Sequence, residues 1–304
     1  MKETAPDGLI IVDKPSGWTS HDVVAQGRRL ARTRKVGHAG TLDPMATGVL
    51  LLGVGRATRL LGHLALEAKG YDATIRLGQS TVTDDAEGEI LRTVDASRVD
   101  DDDVERAAKS FRGDIQQVPS SVSAIKVDGE RAYKRVRAGE ELALRPRPVH
   151  VTEFRIGNTL RMGSFLDVHV HVECSTGTYV RALARDLGAV LEVGGHLTAL
   201  RRTRVAGFTL DQARTLEELE RQPLDALVLP LADVATASFD TDVVDPDQLS
   251  AVRNGRALER TVGTSGRVVA VMSPDGEFLA LYEQRGALAV PVAVFAPPAT
   301  DSSD

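Results

Sequence analysis

The sequence predicts an α+β chain in two parts, a larger mixed portion followed by a small β-rich unit. Three observations carry this reading. Apolar or alternating stretches of strand length recur at 8–13, 49–54, 70–78, 148–156 and 164–174, with helix-patterned segments between them. The composition turns acidic after about Leu210. Short strands near 267–272, 278–283 and 289–295 then follow, separated by turn signals, a pattern that suits a compact barrel.

The elements follow in order. Residues 8–13 read as a buried strand closed by Lys14, Pro15, Ser16 and Gly17. Ser20 is placed to cap a helix with Asp22 in its first turn and Val23, Val24 and Leu30 along one side. Residues 28–35 then carry five cations in eight positions. They suit a phosphate-facing patch, and equally a solvated helix end where cations meet the dipole. Residues 49–54 read as a second buried strand, 58–66 as a short helix and 70–78 as an alternating strand that opens near Tyr71. Residues 79–103 are polar and acidic and predict an exposed excursion, with a helix over 104–111 stopped by Gly113. The stretch 118–127 is rich in small polar residues and meets the hairpin signal Asp128-Gly129, then a basic helix through Tyr133, Lys134, Arg135 and Arg137. It suits either a flap over a polyanion or a surface hairpin.

In the strand at 164–174, His169 and His171 share one face, as surface alternation or as a metal pair with no evident third ligand. A helix running on through Leu191 sets Arg181 near its start, where the dipole disfavours a cation and an acidic or phosphate partner is needed. The strand at 196–205 ends among three arginines, and 211–235 reads as acidic helical connectors.

One stretch stands apart. Residues 36–48 hold Gly37, His38, Gly40, Thr41, Asp43, Pro44 and Gly48 and run straight into an apolar strand. The glycines permit backbone angles closed to other residues, and Pro44 stiffens the chain around Asp43. A rigid loop of this kind can aim a carboxylate for chemistry. It can equally be a tight turn whose Asp bonds its own backbone.

The 304-residue chain has 42% apolar and 26% charged residues, ordinary for a globular protein. No apolar run approaches the ~20 residues that span a bilayer, and no secretion signal is evident. Cys174 is the only cysteine, which excludes an internal disulfide or a cysteine-based zinc site and suits the cytoplasm. The net charge of −6 argues against a nucleic-acid partner, but its distribution does not. Residues 1–70 hold 10 Lys and Arg against 6 Asp and Glu, whereas residues 211–304 hold 7 against 16.

Taken together these residues resemble the TruB-type tRNA pseudouridine synthases, which isomerise uridine 55 in the tRNA T-loop. The signature loop matches residues 37–48. Asp13-Lys14-Pro15, Tyr71 with Arg76-Leu77-Gly78, Pro119-Ser120 through Lys126, and Gly177 to Arg181 followed by Leu200-Arg201-Arg202 match in the same order. The resemblance covers roughly residues 8–210. It implies a pseudouridine synthase fold with a largely antiparallel mixed sheet flanked by helices, and a PUA-like C-terminal domain.

It also implies roles. Asp43 would be the nucleophile, Tyr71 would stack on the target base and serve in proton transfer, and Arg181 would pair with Asp43. On the substrate-binding side, His38 would fill the space left by the extruded base, and Tyr179 and Leu200 would wall the uridine pocket. Lys14 and Pro15 would pack beside the active loop. Neither an organic cofactor nor a metal is expected. The implied domains are a catalytic domain over 1–235, with a mobile RNA-clamping insertion at 119–147, a PUA-like domain over 236–297 and a disordered tail at 298–304. The expected partner is the tRNA T-arm, met by a cytoplasmic monomer with no membrane contact and no obligatory protein partner. The competing readings are a guide-RNA-dependent relative, a tRNA-binding folding factor without catalysis, and a glycoside-acting enzyme with paired carboxylates.

Overall fold

The computed structural model describes residues 6–120, 126–127, 130–131 and 144–297, the two short pairs as backbone alone. Most of the 119–147 insertion, the basic helix expected within it and the tail at 298–304 lie outside the described residues.

The larger part is built on one sheet. Its strands run in the spatial order Leu229–Pro230, Gly8–Lys14, Thr47–Val54, Gly195–Val205, Lys69–Leu77, Phe165–Cys174, Arg147–Met162, Gly113–Gln117. Val36–Ala39 adds on to Thr47–Val54, and Phe208–Thr209 on to Gly195–Val205. The sheet is largely antiparallel, as expected. The one parallel ladder among its described strands joins Thr47 to Arg201 and Gly48 to Arg202. That seam joins the two halves of the sheet, and the loop bearing Asp43 leads into it.

The Thr47–Val54 strand reads as a continuous apolar run because both of its faces are covered. Leu50 and Leu52 meet Val23, Val24 and Val36, whereas Val49 and Leu51 meet Leu60, Leu64 and Phe208. On the other half of the sheet the Val180–Val190 helix lays Leu183 and Leu187 against Tyr71, Ile75 and Leu197. The Asp101–Ala108 helix adds Val104 and Ala107 to the same cluster.

Some local expectations are revised. Thr19, not Ser20, caps the first helix, in a reciprocal bond with Asp22. Ser20 is buried and its hydroxyl is used elsewhere, as described below. The 58–66 segment is a 3-10 turn over Gly55–Arg59 followed by a single helical turn, Leu61–Leu64. The acidic excursion is not wholly exposed: it forms a hairpin of Gln79–Thr81 with Ile90–Thr93, and Asp84 and Asp85 between those strands are buried. Nor is the C-terminal part a barrel. Asp240–Val243, Val268–Met272, Phe278–Arg285 and Leu288–Val294 form a four-stranded sheet, the first pair parallel. Its Ala270, Phe278, Leu281 and Phe295 share an apolar cluster with Leu9, Ile11 and Leu61 of the larger part.

Candidate active site

Four elements converge on the Asp43 loop and hold it by its own backbone. Ser20 Oγ accepts from the Leu42 N–H at 2.9 Å and donates to the Leu42 carbonyl at 3.1 Å. The Pro44 carbonyl accepts from the Gly17 N–H at 2.8 Å and from Lys14 Nζ at 3.1 Å. Arg202, fully buried, donates to the carbonyls of Val49 at 2.7 Å and Gly40 at 3.0 Å. Within the loop the Ala46 N–H reaches back to the Asp43 carbonyl at 3.1 Å. At Gly48 φ is +100°, and a Cβ there would meet the Arg202 carbonyl oxygen at 2.2 Å. Only glycine fits that seam.

The Asp43 carboxylate meets Arg181 Nε at 3.0 Å. Arg181 is buried, and its Nη1 donates to the Thr83 carbonyl at 2.9 Å and lies 3.3 Å from Asp85. The guanidinium is thus shared by two carboxylates. Only one is open: the Asp43 side chain is 38% exposed, that of Asp85 4%. Crowding by protein raises the Asp43 pKa above the ordinary carboxylate value, the Arg181 charge pulls against this, and the Asp85 charge adds to it. The Arg181 partner anticipated from its helix-start position is therefore a carboxylate.

Tyr71 is buried on the strand opposite Arg202, and burial pushes its phenol above the usual value, so it stays protonated at neutral pH. Tyr179 sits at the start of the Val180–Val190 helix. Its N–H donates to Gln117 Oε1 at 2.8 Å, and its carbonyl accepts from Gln117 Nε2 at 3.1 Å.

A cavity of about 330 Å³ gathers Asp43, Tyr71, Tyr179, Arg181 and Leu200, with Lys69 and Arg202. Five sequence-chosen residues thus share one wall. The other three do not. Lys14 and Pro15 lie behind the loop: Lys14 is fully buried and donates to the carbonyls of Pro15 at 2.9 Å, Trp18 at 2.7 Å and Pro44 at 3.1 Å. Burial lowers the Lys14 pKa to about 8. His38 stands beside His21, with ring centroids 5.7 Å apart, and its buried Nδ1 has no partner among the described residues. A wider groove of about 680 Å³ passes Thr47, Asp72, Thr74, His169, His171 and Arg201 and shares Leu200 with the cavity. It lacks the Asp43 carboxylate, so we place the chemistry in the smaller cavity. In the wider groove His169 meets Thr74 at 3.0 Å and His171 meets Asp72 at 2.7 Å, cross-strand pairs rather than a converging ligand set.

Sequence reasoning missed Arg202, Asp85, Gln117 and Lys69. Arg202 appeared only as the end of a matched segment, without a role, and Asp85 was hidden within an acidic stretch. Nothing in either pattern signals burial.

A carboxylate held by a buried arginine beside a buried tyrosine, at the wall of a cavity of about 330 Å³, has the character of an enzyme active site. The comparisons with known proteins show the family. The chain belongs to the TruB family of pseudouridylate synthases. The family model for the N-terminal domain matches residues 28–180, and two models described as pseudouridine synthase C-terminal domains match 181–235 and 239–296. A tRNA pseudouridine synthase B of Rhodococcus jostii is 57% identical over 291 residues, covering 95% of this chain and 94% of that protein. One from Streptomyces avermitilis is 55% identical over 97% of this chain and 99% of its own length. Among solved structures, a Cbf5-Nop10-Gar1 complex superposes with a TM-score of 0.75 at 25% identity, covering 98% of this chain and 88% of that chain. An H/ACA RNP bound to a substrate RNA gives 0.71 at 25%, covering 95% and 85%. The fold is thus that of the pseudouridine synthases.

Proposed function

We infer that this protein is a tRNA pseudouridine synthase that isomerises uridine 55 of the T-loop, with Asp43 as the nucleophile. The observation that carries the reading is the Asp43–Arg181–Asp85 arrangement opening into a cavity walled by Tyr71, Tyr179 and Leu200. Full-length similarity to proteins named tRNA pseudouridine synthase B supplies the substrate class.

The chemistry follows from the geometry. A base in a stacked loop is out of reach, so the target uridine must leave the stack, and aromatic contact with Tyr71 and Tyr179 offsets that cost. Arg181 keeps Asp43 ionised despite the crowding around it, as a nucleophile requires. The clamped loop holds that carboxylate in place before substrate arrives. The uracil is then detached by breaking C1′–N1, turned and rejoined to C1′ through C5, which gives up its proton while N1 gains one. The groove past His169 and Arg201 would take the flanking loop nucleotides.

The protein acts alone as a cytoplasmic monomer in this reading, with residues 236–297 as an accessory PUA-like domain. No helix of the described residues is long and apolar enough to cross a membrane. The alternative, dependence on a guide RNA or on partner proteins, is raised by the Cbf5 likeness. Incubating the purified protein alone with unmodified tRNA transcript and mapping pseudouridine by position tests the reading. Product at position 55 supports it. Product elsewhere overturns the position, and no product from folded protein that binds tRNA overturns autonomous catalysis.

A further inference from the structure

Two buried lysines flank the Asp43 loop, and they are used differently. An ammonium has three N–H donors. Lys14 gives all three to carbonyls and lies off the cavity wall. Lys69, only 7% exposed, lines the cavity and makes two bonds among the described residues, to the carbonyls of Ala65 at 2.9 Å and Glu67 at 2.7 Å. One donor is left over. No carboxylate touches Lys69 among the described residues, the Glu67 charge acting on it without contact, and its side chain passes close to Gly40, where a Cβ would meet its Cε at 3.4 Å. The cavity wall therefore carries three cations, Lys69, Arg181 and Arg202, against the single carboxylate of Asp43, while the second carboxylate on Arg181 is sealed behind it. A buried cation without a contacting counter-charge is costly unless a ligand supplies one.

We propose that Lys69 contacts the flipped nucleotide and carries negative charge on its oxygens. This rests on the reading of the cavity as a uridine site. Such charge has two sources in one nucleotide. The phosphodiester next to the target uridine is anionic throughout. Alternatively, if the C1′–N1 bond breaks with its electron pair on uracil and Asp43 bonds C1′, the freed uracil is an anion spread over N1, O2 and O4. Burial and the nearby Arg202 charge bring the Lys69 pKa down to about 8, so it remains mainly charged at pH 7 and is easily neutralised above it.

The test compares wild type with Lys69→Gln, which keeps amide donors for the two carbonyls and removes the charge, and with Lys69→Arg, which keeps the charge. Each is assayed for affinity and single-turnover rate on a T-arm stem-loop RNA, with thermal unfolding as the check on folding. The expected result is a loss of tenfold or more in Lys69→Gln, partly recovered in Lys69→Arg. If the phosphate is the source, the loss falls on affinity, and an RNA with a neutral methylphosphonate beside the target weakens wild type but not Lys69→Gln. If uracil is the source, the rate falls at unchanged affinity. Wild-type affinity and rate in a folded Lys69→Gln would overturn the proposal. Should that variant fail to fold, reductive methylation of the wild type decides: Lys69 must be shielded by bound RNA, and equal modification with and without it overturns the contact. A wild type that forms no pseudouridine would instead refute the reading of the site itself.

Discussion

The ionisation of Asp43 is the most direct link between local structure and rate. Its carboxyl is raised above the ordinary value of about 4 by crowding, with Arg181 opposing. With Asp43 as the proposed nucleophile, only its ionised form would attack, so activity should fall on the acid side of a pH profile at a point above that ordinary value. Arg181→Met removes the opposing charge, so the acid limb should move to still higher pH and the rate at pH 7 should drop. A limb that stays in place would show that another group titrates. Arg202 acts on the same loop without touching the carboxylate. Replacing it by Met leaves the buried carbonyls of Gly40 and Val49 without donors, and we expect a loss of about 3 kcal/mol in urea unfolding, with reduced turnover.

At the scale of elements, the seam between Thr47–Val54 and Gly195–Val205 is the sensitive place. Gly48→Ala would force a Cβ to 2.2 Å from the Arg202 carbonyl oxygen at a positive φ. A destabilisation of about 3 kcal/mol by denaturant unfolding is expected, and an unchanged midpoint would contradict the packing described. The strands were legible because burial on both faces writes itself as a continuous apolar run, as at Val49 to Leu52. The helix at 180 was legible from Leu183 and Leu187. What was not legible are features set by distant partners. Ser20 looks like a cap but is drawn to Leu42, leaving the cap to Thr19. Asp85 looks solvated among its acidic neighbours but is buried against Arg181. Lys14, matched as packed beside the loop, bonds the Pro44 carbonyl, a contact that spacing does not show. The proposed catalytic residues Asp43, Tyr71 and Arg181 emerged from the family resemblance, since spacing alone left Asp43 open between a turn and a positioned acid.

For the whole molecule, the C-terminal sheet is not an independent appendage. Phe278 and Phe295 lie in a cluster with Leu9, Ile11 and Leu61, and Arg56 and Arg59 of the larger part donate to the carbonyls of Phe295 and Val294. Truncation at residue 238 should therefore lower the thermal midpoint of the remainder by roughly ten degrees or more. Retention of the full midpoint would mean that the shared cluster contributes nothing. The acidity of this end, 7 cations against 16 carboxylates over residues 211–304, contrasts with the 10 cations against 6 carboxylates over residues 1–70. The account as a whole turns on Asp43. The most direct test is single-turnover isomerisation of uridine 55 by wild type and Asp43→Asn, with tRNA affinity measured on both. The account predicts a loss of about a thousandfold or more in rate with affinity retained. Substantial pseudouridine formation by a folded Asp43→Asn would contradict it.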